Sequence, residues 1–235
     1  MKFEGLPIHD TPRPRQWHHL QKRIEAGEGF HLDFKYHVDD AARIARSLSA
    51  FANCGGGSLL VGVKDNGRII GIQTEEEYYV IESANQRHLR PRVPLRFVVW
   101  PANGKTVLEV KVPAVGRRPV YVWDTDRKWR AYLRMGDRNI RAPLPWVKGM
   151  VLKHRNDVRR FSLTPTIQAL IRYFQTHPAP ASLDALCRHI PAHRMEIMNA
   201  LAAFVAFDLL EIGVENESYC YAPRDPAEMM TWRRG

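Results

Sequence analysis

The feature that most constrains this chain is a run of three glycines, Gly55, Gly56 and Gly57, set between a helical pattern and a strand pattern. On the helical side Ala41, Ile44, Ala45, Leu48, Phe51 and Ala52 follow the three-and-four spacing of one buried face, with Asp39 or Asp40 available as a cap. On the strand side Ser58 to Val63 is apolar and ends at the turn signal Lys64-Asp-Asn-Gly67. Upstream, His31, Asp33 and Lys35 alternate with Leu32 and Phe34, so a strand there buries the apolar pair and puts imidazole, carboxylate and ammonium on one face. The whole reads as a compact β-α-β unit. Glycines at a helix C-terminus form a left-handed cap at the negative end of the dipole. This order excludes a phosphate-binding P-loop, which needs its glycines before a helix and a Lys-Ser/Thr after them, so no nucleotide cofactor is expected.

Taken in order, Glu28-Gly-Phe-His-Leu-Asp-Phe-Lys35, Phe51-Ala-Asn-Cys-Gly-Gly-Gly57 and Gly62-Val-Lys-Asp-Asn-Gly67 resemble the AlbA-like domain of the Schlafen family. That domain usually reads E, four residues, E-F-K, then F-A-N-x-x-G-G and G-V-x-D-x-G. The likeness resumes at Ala131-Tyr-Leu-Arg-Met-Gly-Asp-Arg-Asn-Ile-Arg-Ala142, where the family has a closing Y-x-R-x-G strand. The resemblance covers roughly half the chain, and the ordered series is more specific than any one motif. It implies an α+β fold, an AlbA-like two-layer domain, and binding of DNA or RNA.

In nuclease-active Schlafen proteins, two acids five residues apart and a third after the glycine turn form a metal-dependent RNA-cleaving site. Here Glu28 and Asp33 match the first two positions and Asp65 the third, so the resemblance implies Mg²⁺ or Mn²⁺ held by Glu28, Asp33 and Asp65, with Lys35 stabilising developing charge. Two departures weigh against cleavage: Asp33 stands where the family has Glu, one methylene shorter, and Lys64 stands where an acid is common. The plain alternative makes Glu28 and Asp33 partners of Lys35 or an arginine, and Asp65 a turn residue. Binding without cleavage is therefore the favoured reading.

Charge is unevenly distributed. Residues 1–160 hold 29 Lys or Arg against 17 Asp or Glu, whereas residues 161–223 hold 3 against 6. Within the first region, residues 86–160 hold 19 basic and 5 acidic side chains, interleaved with Trp100, Tyr121, Trp123, Trp129, Tyr132 and Trp146. Such a surface attracts phosphates by counterion release, and its rings can stack on unpaired bases. The candidate nucleic-acid contacts are Lys35, Arg43, Arg46, Asn53, Gly55, Gly56, Arg130, Arg134, Arg138 and Arg141. Arg134, Arg138 and Arg141 stand foremost because they lie in the segment that resembles the family's closing strand.

The domain plan is an N-terminal arm over residues 1–21, the AlbA-like domain over 22–160, a winged helix over 161–223 and a tail over 224–235. The winged helix rests on helical spacing in Thr164–Phe174, a Ser182-capped helix, a long helix over Ala192–Leu210, and two short strands around Glu215-Asn-Glu217. Its acidic wing argues against groove reading and for contact with protein. The apolar Met195, Ile197, Met198, Leu201, Phe204, Val205 and Phe207 suggest a homodimer surface. Cys54, Cys187 and Cys220 are odd in number and scattered, so neither a disulfide framework nor a zinc site is indicated. No apolar run reaches membrane-spanning length and residues 1–10 lack the apolar stretch of a signal peptide, so a cytoplasmic protein with no membrane partner is expected.

Overall fold

The computed structural model describes residues 6–13, 16–72, 74–102, 104–155 and 163–225. It forms two compact units, Met1–Arg141 and Ala142–Gly235. The division falls at Arg141, inside the 22–160 range expected for the AlbA-like domain.

The first unit contains α1 (Trp17–Glu25), β1 (Leu32–Lys35), α2 (Ala41–Asn53), β2 (Gly57–Val61), α3 (Glu76–Ser83), β3 (Leu89–Arg90), β4 (Arg96–Ala102), β5 (Lys105–Val112), β6 (Tyr121–Trp123), β7 (Trp129–Met135) and β8 (Arg138–Arg141). It is an α+β fold with two four-stranded sheets, in the orders β1-β2-β5-β4 and β3-β6-β7-β8. β1 and β2 run parallel, with Asp33 beside Leu59 and Lys35 beside Val61. The other pairings in both sheets are antiparallel.

α2 sits between the sheets. Ile44, Leu48 and Phe51 join Leu59, Val61, Phe97 and Val110 of the first sheet and Val120, Val122 and Tyr132 of the second in one buried cluster. The opposite face of the first sheet is covered by α1, whose Leu20 and Ile24 pack on Leu32, Phe34, Leu60 and Trp100. β1 is therefore covered on both faces. This corrects the expectation of a polar, open face: Asp33 is only 3% exposed. The segment expected to be a free arm is partly tied down, since His9 N–H donates to Phe97 O and Val99 N–H to Asp10 O along β4. α3 passes through a π-helical turn at Ala84–His88 into β3.

The second unit contains α4 (Leu144–Arg155), α5 (Pro165–Thr176), β9 (Ala181–Ser182), α6 (Leu183–His189), α7 (Arg194–Ala206), β10 (Leu210–Glu215) and β11 (Ser218–Pro223). Thr164 and Ser182 cap α5 and α6 through their hydroxyls. β10 and β11 form a hairpin with β9 beside β11. α4 lies close against α7: a β-carbon at Gly149 would stand 2.6 Å from the Ala202 carbonyl oxygen. Ile197, Leu201, Phe204 and Val205 are buried within this unit. Of the other residues expected to serve a dimer, Met195 is 51% exposed and Met198 and Phe207 are partly buried. The expected tail beyond residue 225 lies outside the described residues. No helix among the described residues is long and apolar enough to cross a membrane.

Candidate nucleic-acid interface

The sequence-derived site residues fall into three separate groups. The first is a buried ionic cluster. Arg134, 1% exposed, donates from Nε to Gly29 O at 3.1 Å, from Nη1 to Asn139 Oδ1 at 2.9 Å and from Nη2 to Leu32 O at 3.1 Å. Its Nη2 also lies 3.3 Å from Asp33 Oδ1, and its guanidinium stands over the Phe51 ring at 5.0 Å. Asp33 Oδ2 accepts from Ser47 Oγ at 3.2 Å and pairs with Lys35 Nζ at 2.8 Å. Asn139 Nδ2 closes the circuit by donating to Ser47 Oγ at 2.9 Å. These bonds join α2, β1, β7 and β8. Arg134 is thus corrected from phosphate contact to internal strut, because a guanidinium with its donors turned inward has none for a ligand.

Glu28 is half-buried beside this cluster and accepts from the Phe34 N–H at 2.6 Å. Burial raises its pKa above the usual carboxylate range, and hydrogen bonding and repulsion from Asp33 add to the rise against the Phe34 N–H and Lys35. Two acids therefore meet, but Asp65 does not join them: it is exposed on the turn after β2, and among the described residues no group of three His, Cys, Asp or Glu side chains is placed to hold a metal ion. Both Asp33 oxygens face cations or hydroxyl within the protein. The carboxylates do not fit Mg²⁺ or Mn²⁺, and the expected metal site is not assembled.

The second group is the glycine turn. Gly56 has φ +77° and its N–H donates to Phe51 O, the left-handed cap the sequence predicts. A β-carbon there would lie 2.8 Å from both Ala114 N and Val112 O, so the glycine permits backbone-to-backbone contact with the segment after β5. His31 Nδ1 lies 2.8 Å from Gly56 O, which assigns His31 to bracing the turn. Asn53 is also structural. Its Nδ2 donates to Val120 O and Tyr132 O, both at 3.0 Å, and its Oδ1 accepts from Val120 N at 2.8 Å. Buried at 2% exposure, it stitches the end of α2 to the second sheet and is corrected from ligand contact to connector. Gly55 remains exposed at the crest of the turn.

The third group lies at the surface. Arg130 Nη2 is 2.8 Å from Asp126 Oδ2, and Arg141 Nη2 is 3.7 Å from the same oxygen. Arg46 reaches from α2 to Asp124, with Nε 3.0 Å from Oδ1, and stacks over Tyr132 at 5.8 Å. Tyr132 Oη donates to the other Asp124 oxygen. Burial opposes the Asp124 charge, but bonds from Tyr132, the Thr125 N–H and Arg46 outweigh it and hold the pKa at about 2. Arg43, one turn before Arg46, and Arg138, at the β7–β8 turn, are exposed. Lys35 keeps a 24% exposed side chain at the edge of the buried cluster. Of the candidate cations, Arg43, Arg46, Arg130, Arg138 and Arg141 thus gather on or beside the α2–β7–β8 surface.

Several structural residues carry no local sequence signal, Ser47 and Asn139 among them. Glu109 has one: an acid inside the apolar run Val107 to Val112 of β5 requires a buried partner. It finds Arg23 at 2.7 Å, Ser58 Oγ at 2.7 Å and Trp100 Nε1 at 2.8 Å. Burial opposes its charge, but Arg23 and these donors bring its pKa below the usual value.

Residues 28–143 match the family model described as Schlafen, AlbA_2. No curated protein matches the chain significantly. Among solved structures, the chain is similar to the DIP2311 protein from Corynebacterium diphtheriae at 18% identity and a TM-score of 0.42, over 88% of this chain. It spans 38% of the length of that protein. It is also similar to the N-terminal domain of a putative ATP-dependent DNA helicase RecG-related protein from Nitrosomonas europaea, at 24% identity and a TM-score of 0.38 over 53% of this chain and 92% of that one.

Proposed function

We propose, from the Schlafen AlbA_2 match over residues 28–143, that this chain binds nucleic acid, DNA or RNA, through its first unit and does so without cutting it. The observation that carries the reading is the division of the arginines. Arg134 is consumed inside the fold, whereas Arg43 and Arg138 are exposed and Arg130 and Arg141 share one surface carboxylate, Asp126. Residues 1–141 hold 24 Lys or Arg against 16 Asp or Glu, so the surface carries a positive excess beyond this patch. Guanidiniums held in place by a shared carboxylate lose less freedom when they meet a phosphate.

The metal-dependent ribonuclease reading lacks its third carboxylate and is set aside. Residues 163–225 support a winged-helix assignment, with α5, α6 and α7 as the helices and β10–β11 as the wing. Glu211, Glu215 and Glu217 make that wing acidic, which favours a protein partner and a regulatory role over contact with phosphates. Three free cysteines suit a reducing, cytoplasmic setting.

The test is a salt titration of binding to labelled DNA and RNA. Wild type should lose affinity steeply between about 50 and 200 mM salt, as counterion release requires. Arg138→Glu combined with Arg141→Glu should weaken binding roughly tenfold or more at low salt and flatten that slope. Equal slopes and affinities for the two proteins would remove this surface from the interface.

A further inference from the structure

An exposed aromatic pair lies on the second sheet outside the phosphate-binding surface described above. Trp123 and Trp129 are cross-strand partners at the β6–β7 hairpin, their ring centroids 5.3 Å apart. They are 39% and 42% exposed, although the same strands bury Val122, Ala131 and Leu133. Two adjacent, part-exposed indoles on a sheet present apolar surface to solvent.

Their surroundings are cationic. The Arg90 guanidinium, from β3, stands 5.8 Å from the Trp129 ring centroid. Exposed Arg127 and Lys128 occupy the hairpin turn between the two tryptophans. The two acids of that turn are engaged, Asp124 by Arg46 and Tyr132, and Asp126 by Arg130 and Arg141. Aromatic faces flanked by unmatched positive charge complement a polymer of flat bases and phosphates. Bases in a duplex turn their faces to one another, so only an unpaired strand can offer a face to an indole.

We propose that Trp123 and Trp129 form a base-stacking platform and that the preferred ligand of this domain is single-stranded nucleic acid, with Arg90, Arg127 and Lys128 meeting the phosphates on either side of the stacked bases. The proposal rests on the nucleic-acid-binding reading above and specifies its substrate class. Because every base has a π-face, the platform confers strand selectivity without sequence selectivity.

The experiment compares the full chain with its Trp123→Leu and Trp129→Leu variants, and with Phe at each position, against a mixed-sequence single strand of about 12 nucleotides and the matching duplex. Each Leu variant should bind the single strand roughly tenfold more weakly, by the stacking lost per base, and leave duplex binding within about twofold. The Phe variants should recover most of the loss, which keeps the test decisive should a Leu variant fail to fold. Single strand should also quench wild-type tryptophan emission more than duplex does. Wild type binding neither ligand would overturn the binding reading and the platform with it. Leu variants that bind single strand like wild type would overturn the platform alone, as would a Leu substitution that converts a dimer to a monomer, since the indoles would then serve a second copy of the chain.

Discussion

Two aspartate–arginine clusters occupy the same unit, and they differ in almost everything except composition. Around Asp33, Arg134 is sealed under α2 and makes four hydrogen bonds to fixed oxygens. Around Asp126, Arg130 and Arg141 share one exposed carboxylate at 2.8 and 3.7 Å. In the first, desolvation makes each ion depend on its partners, so the cluster fixes geometry; in the second, water screens the pair, so the arginines can exchange a carboxylate for a phosphate at little cost. Burial, more than residue type or motif membership, decides whether an arginine here supports or binds.

The comparison breaks most readily at Arg134. Arg134→Met should lower unfolding stability by about 3–5 kcal/mol, because Asp33 then keeps Lys35 as its one paired cation beside the Ser47 hydroxyl and the neighbouring acid Glu28. Adding Asp33→Leu should recover part of that loss, since the orphaned charge leaves with its partner. Urea unfolding of the single and double variants measures both. A loss below about 1 kcal/mol in the single variant would mean that the buried cluster is no more structural than a surface pair.

What the sequence conceals follows from the same contrast. The helix over 41–53, its glycine cap and the strand that follows are read from local periodicity and turn residues. Asp33 reads as surface because alternation in Leu32–Lys35 matches a strand with one wet face, and Asn53 and Arg134 read as ligand contacts because they stand in the family motifs. It is the second sheet, closing over α2 from residues 120–141, that buries them, and no local window contains both layers. Family motifs draw attention to Asn53 and Arg134 without distinguishing a residue that holds the fold from one that holds a ligand.

Asp124 sits between the two clusters in character and gives a sharper, pH-dependent test. Its pKa falls from 3.8 to about 2 on folding, so its contribution is present above the unfolded value and is lost as pH falls through the folded one. Asp124→Asn should therefore cost about 2 kcal/mol at pH 6, with the gap to wild type closing between about pH 4 and 2. Arg46→Ala should remove much of the same increment, since Arg46 and Tyr132 hold the two Asp124 oxygens. A gap that stays constant across that range would remove the ionic account of this contact.

The smallest expected effect is the most diagnostic of function. Asp126 is exposed, and its pKa is lowered chiefly by the Arg130 hydrogen bond, with the Arg130 and Arg141 charges helping against desolvation and Asp124. Asp126→Asn should leave the unfolding midpoint unchanged within scatter, because a screened carboxylate contributes little to the fold. On nucleic acid it should act in the opposite direction from a damaging mutation. Removing a negative charge beside the phosphate path relieves repulsion and frees Arg130 and Arg141, so affinity should rise by about threefold at low salt, and the gain should shrink as salt screens it. Parallel measurements at two salt concentrations on wild type and variant decide the matter. Weaker binding by Asp126→Asn would show that the carboxylate positions the arginines more than it competes for them, and would place the Asp126 cluster with the Asp33 cluster as architecture.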